Sequence, residues 1–339
     1  MKTLRLLAVS ATIFAGALFA QLSKPMMKAI VAHEYGGPEV LKYEEVPRPE
    51  PKEDQILVRV IAAGVNPVDA MVRSGMFAKY EKDVFLIIPG ADIAGVVEKV
   101  GSKITKFKAG DPVFAYVSLK GGGGYAEYAL ATERDTAAKP KSLTYVEAAA
   151  VPIVALTAWQ ALIDTAKLST GQTVLIHGGS GGVGSFAIQI AKARGAKVIA
   201  TASTANQDLL KQLGADVAID YTKQKFEDVA KDVDIVLDSV GKDTLARSYA
   251  VVRKGGVIVS LVARPNQADL DKHGIRGAAL NVEPSADELA EIGKLIDQKK
   301  IKVVVSETFP LLEAAKAQEQ VATGHTRGKV VLKVAEEPK

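Results

Sequence analysis

The chain has 339 residues, enough for two domains each with its own core. Hydrophobic residues make up 48% and charged residues 24%, a globular balance that excludes a disordered chain. The net charge of +4 comes without a basic block, which argues against a nucleic-acid surface, and the lack of cysteine excludes disulfides, thiolate nucleophiles and cysteine-ligated zinc.

In chain order, residues 1–25 stand apart. Lys2 and Arg5 precede the uncharged run 6–20, "LLAVSATIFAGALFA", which ends in small residues. That is the layout of a signal peptide, with cleavage after Ala17 or Ala20. It falls short of the roughly 20 apolar residues of a membrane span, so no span is expected in the mature chain. The alternative is an upstream start codon, with translation beginning at Met26 or Met27. The first reading implies export and the second a cytoplasmic protein.

Residues 28–140 read as short strands broken by Gly and Pro. The segments 55–64 and 95–101 are β-like, 108–113 is a turn signal, and 121–130 is a flexible turn entering a strand. Residues 146–162 are helical in composition, interrupted at Pro152. From Gly171 strand and helix alternate. Strands are expected at 174–177, 197–201, 217–220, 233–241 and 255–262, with helices at 182–194 and 206–215. The strands are almost wholly apolar, as buried parallel strands must be, and the alternation implies right-handed crossovers. A further helix is expected at 284–297, with a capping box from Ser285 and Glu288. Strands at 301–309 and 328–334 close the chain. The fold class is therefore α/β: a parallel-sheet domain, 151–289, inserted into a β-rich domain, 26–150 and 290–339.

Gly179-Ser180-Gly181-Gly182-Val183-Gly184 fits G-x-G-x-x-G, preceded by a strand and opening a helix. A dinucleotide diphosphate sits against such a helix N-terminus, and side chains would block its approach. An NAD site carries an acid at the end of the next strand, for the ribose 2′-hydroxyl. Here that strand ends in Ser203 and Thr204, which would accept a 2′-phosphate, so NADP(H) is the expected cofactor. Tyr221 is a further candidate for the same phosphate. The four histidines, His33, His177, His273 and His325, have no metal-ligand spacing and read as surface or turn residues.

These segments, with "EYGGPEVL" (34–41), "AAGVNPVDAMVRSG" (62–75), "PGADIAGVVEKVG" (89–101), "GGYAEY" (123–128) and "TRGKVVL" (326–332), resemble the zinc-free quinone oxidoreductase branch of the medium-chain dehydrogenase/reductase superfamily. "ATAST" and "AIDYT" resemble its 2-alkenal and enone reductases. The resemblance runs from about Met27 to the end. It implies a chaperonin-10-like β-barrel domain formed by the two chain ends, a Rossmann domain between them, and a cleft between the two. It implies a diphosphate turn at Gly181 to Gly184, Thr157 near the nicotinamide amide, and Ser203, Thr204 and Tyr221 around the 2′-phosphate. Asn66 and Asp69 would line the cleft, and Arg327 and Lys329 would lie in the strand closing over the cofactor. Zinc-dependent relatives place Cys near Asn66 and Glu near Asp92. Ala205 and Asn206 stand where many relatives carry a phosphate-binding lysine, and Met71 where relatives often carry Tyr or Lys.

Without a Lewis acid to bind an alkoxide, the expected acceptor is a quinone or α,β-unsaturated carbonyl, whose charge delocalises onto oxygen. Asn66 is the leading donor to that oxygen, with Tyr80 in a loop over the cleft. An enoyl-thioester reductase is the alternative enzyme, and a crystallin-like NADP-binding structural protein the non-enzymatic one. The resemblance also implies a homodimer.

Overall fold

The computed structural model describes residues 25–78, 86–117 and 123–338. The signal-peptide-like segment and Tyr80 lie outside the described residues.

Strands β1 (Met26–Val31) and β2 (Lys42–Pro47) pair antiparallel. There follow β3 (Ile56–Val65), α1 (Pro67–Arg73), β4 (Asp92–Val100), β5 (Pro112–Tyr116), β6 (Tyr128–Ala131) and β7 (Thr136–Ala138). Two helices come next, α2 (Tyr145–Ala149) and α3 (Pro152–Trp159). Pro152 opens α3 at a position where its missing N–H costs nothing. The α/β unit is β8 (Thr173–Ile176), α4 (Gly182–Ala193), β9 (Lys197–Ala202), α5 (Gln207–Gln212), β10 (Val217–Asp220), β11 (Val233–Asp238), α6 (Lys242–Ser248), β12 (Val252–Ser260), α7 (Gln267–His273) and β13 (Arg276–Ala279). The chain ends with α8 (Ala286–Asp297), β14 (Val305–Pro310), α9 (Ala314–Ala322) and β15 (Lys329–Lys333).

The α/β unit builds a parallel six-stranded sheet in the order β10-β9-β8-β11-β12-β13. The order reverses beside β8, the switch point where open α/β sheets bind ligands beyond their carboxyl ends. The second sheet runs β14-β15-β3-β4-β5-β7, with β6 also on β3. The C-terminal strands thus rejoin the sheet begun by the N-terminal half, as the interrupted β pattern implied. Among the described residues this seven-stranded path does not close on itself. One apolar cluster runs through both sheets: Ile61 and Phe114 on one side, Ile176 and Ile188 on the other, Ala149 and Leu156 between.

Two sequence expectations change in detail. Ser285 caps α8 by accepting from Glu288 N, but the Glu288 carboxylate accepts from Gln160 instead of closing the box. The strand expected at 301–309 is β14, which starts only at Val305.

Candidate active site

β8 delivers the chain to the glycine turn. Gly178 has φ 71°, a left-handed conformation that favours glycine, and Gly179 N donates to Thr201 O at 2.8 Å. The turn's glycines have different jobs. A Cβ on Gly184 would stand 2.2 Å from Gly178 O and 2.7 Å from Gly179 Cα, so here α4 packs directly on the turn. A Cβ on Gly181 would meet only Gly178 O, at 3.5 Å, and otherwise open space. The first N–H groups of a helix have no intrahelical partner and carry its positive end. Open space at Gly181 over those groups fits a dinucleotide diphosphate. The C-terminal strand is stitched to this turn: Gly328 N donates to Ser180 O at 2.8 Å.

β9 ends at Ser203 and Thr204 without an acid, but an acid stands one strand over. Asp220 pairs with Ala202 in register and ends β10. Its carboxylate accepts from Thr204 Oγ1 at 2.6 Å and Thr222 Oγ1 at 2.6 Å, and Lys223 Nζ lies 3.5 Å away. Those hydroxyl bonds hold its pKa down to about 2. Thr204 is thereby committed to Asp220, whereas Ser203 and Tyr221 line the cleft.

The opposite end of the cleft is a buried polar cluster. Asn66 precedes α1, and its backbone N–H donates to Asp69 Oδ2 at 2.8 Å. Asp69 also accepts from Tyr125 Oη at 2.8 Å, and burial pushes its carboxyl up to about 7. Asp69 therefore caps a helix from below the cleft and does not line it. The Asn66 side chain takes another direction. Nδ2 donates to Asp92 Oδ2 at 2.9 Å, and Oδ1 accepts from Lys329 Nζ at 2.5 Å. Lys329 Nζ also donates to Val65 O at 2.8 Å and lies 3.4 Å from Asp92 Oδ2. Asp92 Oδ1 accepts from Ile153 N at 2.7 Å, and Thr157 Oγ1 donates to Ile153 O at 2.7 Å. Burial raises the Asp92 pKa and lowers that of Lys329, while each charge opposes the other's shift.

A cleft of about 1590 Å³ joins these parts. It is lined by Asn66, Thr157, Ser180, Gly181, Gly182, Val183, Gly184, Ser203, Tyr221 and Lys329 of the expected site residues. Gly179 packs behind the turn, against Leu210 and Ala200. Arg327 lines a separate groove of about 640 Å³ beside Leu213 and Lys302, away from the large cleft. Sequence reasoning missed Lys223, Lys225 and Arg247, which join the wall near Tyr221. The first two follow the "AIDYT" stretch by a few residues, and that proximity was the available signal. His177 is a correction: it is buried at the end of β8, bonded to Thr201 Oγ1 at 3.2 Å and Ser248 Oγ at 3.0 Å. Burial lowers its pKa to about 4, so it is neutral at physiological pH.

Two family models match: an alcohol dehydrogenase GroES-like domain over residues 52–141 and a zinc-binding dehydrogenase over residues 213–332. Among the described residues no three His, Asp or Glu side chains converge as metal ligands. An NADPH-dependent alkenal/one oxidoreductase of Arabidopsis thaliana is 40% identical over 317 residues, covering 90% of this chain and 79% of that one. The quinone oxidoreductase structure from Coxiella burnetii is 37% identical with a TM-score of 0.85, covering 91% of this chain and all (100%) of that one. The Escherichia coli quinone oxidoreductase, solved with NADPH, is 31% identical with a TM-score of 0.82, covering 91% of this chain and 100% of that one. Both domains, the glycine turn and these likenesses agree: the chain belongs to the medium-chain dehydrogenase/reductase superfamily, in its quinone and enone oxidoreductase branch.

Proposed function

We propose that the protein is an NADPH-dependent oxidoreductase that reduces quinones or α,β-unsaturated carbonyls. The observation that carries this reading is one continuous cleft with the glycine turn at its centre, Asn66 and Thr157 at one end, and Ser203 in place of an acid at the other. The relatives support the acceptor class. One is named an alkenal/one oxidoreductase and two are named quinone oxidoreductases, and both substrate types conjugate a carbonyl with the carbon that takes the hydride.

The chemistry NADPH supplies when bound is hydride donation. The turn and the N-terminus of α4 hold the diphosphate. Thr157 gives its proton to Ile153 O, which leaves its oxygen to accept from a carboxamide. Asn66 lines the cleft and places an N–H at the carbonyl end of an acceptor, where charge accumulates as phenolate or enolate. Met71 and Phe77 add apolar wall, which favours an apolar acceptor and excludes water.

Lys223 and Lys225 supply the positive charge that Ala205 and Asn206 do not. Consumption of NADPH with a panel of quinones, alkenals, enones and an enoyl thioester tests the reaction class; no consumption with any of them sinks it. In the same assay kcat/KM is expected to favour NADPH over NADH, and Asn206→Lys to widen that preference about tenfold. The double variant Lys223→Ala/Lys225→Ala is expected to lower kcat/KM for NADPH about tenfold and leave NADH unchanged. Equal losses with both cofactors would remove these lysines from the phosphate.

We also propose that two copies pair. β13 is an edge of the six-stranded sheet and offers its outer row of backbone groups to a second copy. Sedimentation should give a dimer, and Ala279→Pro, which removes an N–H that faces away from β12, should shift it to monomer. A monomeric parent protein would refute this pairing.

A further inference from the structure

Lys329 reaches a place that its position in sequence does not suggest. Its stem crosses the diphosphate turn: a Cβ on Gly182 would stand 3.2 Å from Lys329 Cδ. Its ammonium does not stop there. It lies buried between Val65 O, Asn66 Oδ1 and Asp92 Oδ2. An ammonium has three protons, and three acceptors surround this one. In this arrangement it has no proton left for a phosphate or for an acceptor molecule.

The consequence falls on Asn66. A carboxamide presents a donor at one end and an acceptor at the other, and side-chain amides flip between the two when nothing fixes them. Here the oxygen faces an ammonium and the nitrogen faces the Asp92 carboxylate. The flipped amide would set N–H against ammonium and oxygen against carboxylate, two repulsive contacts in a buried site. Asp92 is itself held by Ile153 N, and a Cβ at Gly64 would come within 2.9 Å of Asp92 Cβ, so the carboxylate has little freedom. Of the two Asn66 N–H groups one goes to Asp92, and the other has no acceptor among the described residues. A cation on the amide oxygen also draws charge through the amide and strengthens that remaining N–H as a donor.

We propose that Lys329 is a positioning residue: together with Asp92 it locks the Asn66 amide so that a polarised N–H, and never the amide oxygen, faces the acceptor's oxygen in the cleft. This rests on the quinone or enone reductase reading. It assigns Lys329 a role through Asn66 in place of direct contact with the cofactor phosphates.

The test is a double-mutant cycle on the full chain with NADPH and the best quinone or enone acceptor. Asn66→Ala is expected to lower kcat about a hundredfold, and Lys329→Met at least tenfold. In the Asn66→Ala background Lys329→Met should change kcat by less than about twofold, because the amide it positions is gone. NADPH affinity, read by quenching of Trp159 fluorescence, should change less than about threefold in Lys329→Met. Folding is controlled with Lys329→Met/Asp92→Asn, which removes both buried charges. That variant should recover the melting temperature but not kcat. A tenfold loss of NADPH affinity with kcat retained would make Lys329 a phosphate ligand and overturn the proposal. Multiplicative losses in the cycle, or recovery of kcat along with stability, would also overturn it. Failure of the parent protein to consume NADPH with any acceptor is the separate result that removes the reaction itself, and this role with it.

Discussion

Gly184→Ala is expected to cost about 3 kcal/mol of stability and most NADPH binding, while Gly181→Ala is expected to cost binding alone. The two glycines sit three residues apart in one turn, and composition cannot tell them apart. The structure can. At Gly184 the added methyl carbon would lie 2.2 Å from Gly178 O and 2.7 Å from Gly179 Cα. Both are backbone atoms, so no rotamer change relieves the overlap, and α4 must back away from the turn. That displaces the helix end that holds the diphosphate. At Gly181 the φ is −77° and the space is open, so alanine is tolerated by the free protein. Its methyl group instead occupies the ground the diphosphate needs, and NADPH affinity should fall tenfold or more. Thermal unfolding and fluorescence titration of the two variants separate these effects. A stable Gly184→Ala would refute the close packing of α4 on the turn, and a Gly181→Ala with parental affinity would show that the diphosphate lies elsewhere.

This contrast marks where the sequence was legible. The glycine turn is local: six consecutive residues carry its chemistry, and strand and helix periods on either side place it in the fold. The parallel strands were legible for the same reason, since burial on both faces writes one apolar run per strand. The other half of the site is not local. Asn66, Asp92 and Lys329 meet because antiparallel register sets Gly64 opposite Asp92 and Val65 opposite Val330. No spacing rule connects residues so far apart in sequence. What the sequence did offer was one lysine beside the apolar run of "GKVVL", read as a cofactor ligand because its strand closes over the turn. His177 was misjudged because its partners Thr201 and Ser248 come from β9 and α6, and only the fold brings them to it. Asp220 was passed over because the acid test looks at the end of β9, whereas this carboxylate ends β10 and is engaged by Thr204 and Thr222.

Asp69→Asn is expected to change the pH dependence of stability strongly. Two buried groups titrate in overlapping windows with opposite sign. Asp69 is pushed from 3.8 up to about 7 by burial, so between those values the folded protein holds a proton that the unfolded chain has lost. Its contribution is fully present below the unfolded value and fades as pH rises through 7, by about 1.4 kcal/mol per pH unit. His177 is lowered from 6.5 to about 4, so in its window the unfolded chain binds the extra proton. Its contribution is present above 6.5 and fades as pH falls through 4, with a similar slope. Between about pH 4 and 6.5 the two slopes oppose each other, and the pair adds little net pH dependence. Asparagine at 69 keeps an oxygen to accept from Asn66 N and Tyr125 Oη, and its amide nitrogen stands where Asp69 Oδ1 has no partner among the described residues. It cannot ionise. The variant should therefore gain on the parent protein by about 3 kcal/mol between about pH 4.5 and 7, and lose stability steeply on acidification because the His177 slope is no longer opposed. Urea unfolding across that range reads the difference directly. Parallel curves for parent and variant would mean that Asp69 ionises in the fold at an ordinary carboxylate pKa, and that burial beneath Asn66 does not hold its proton.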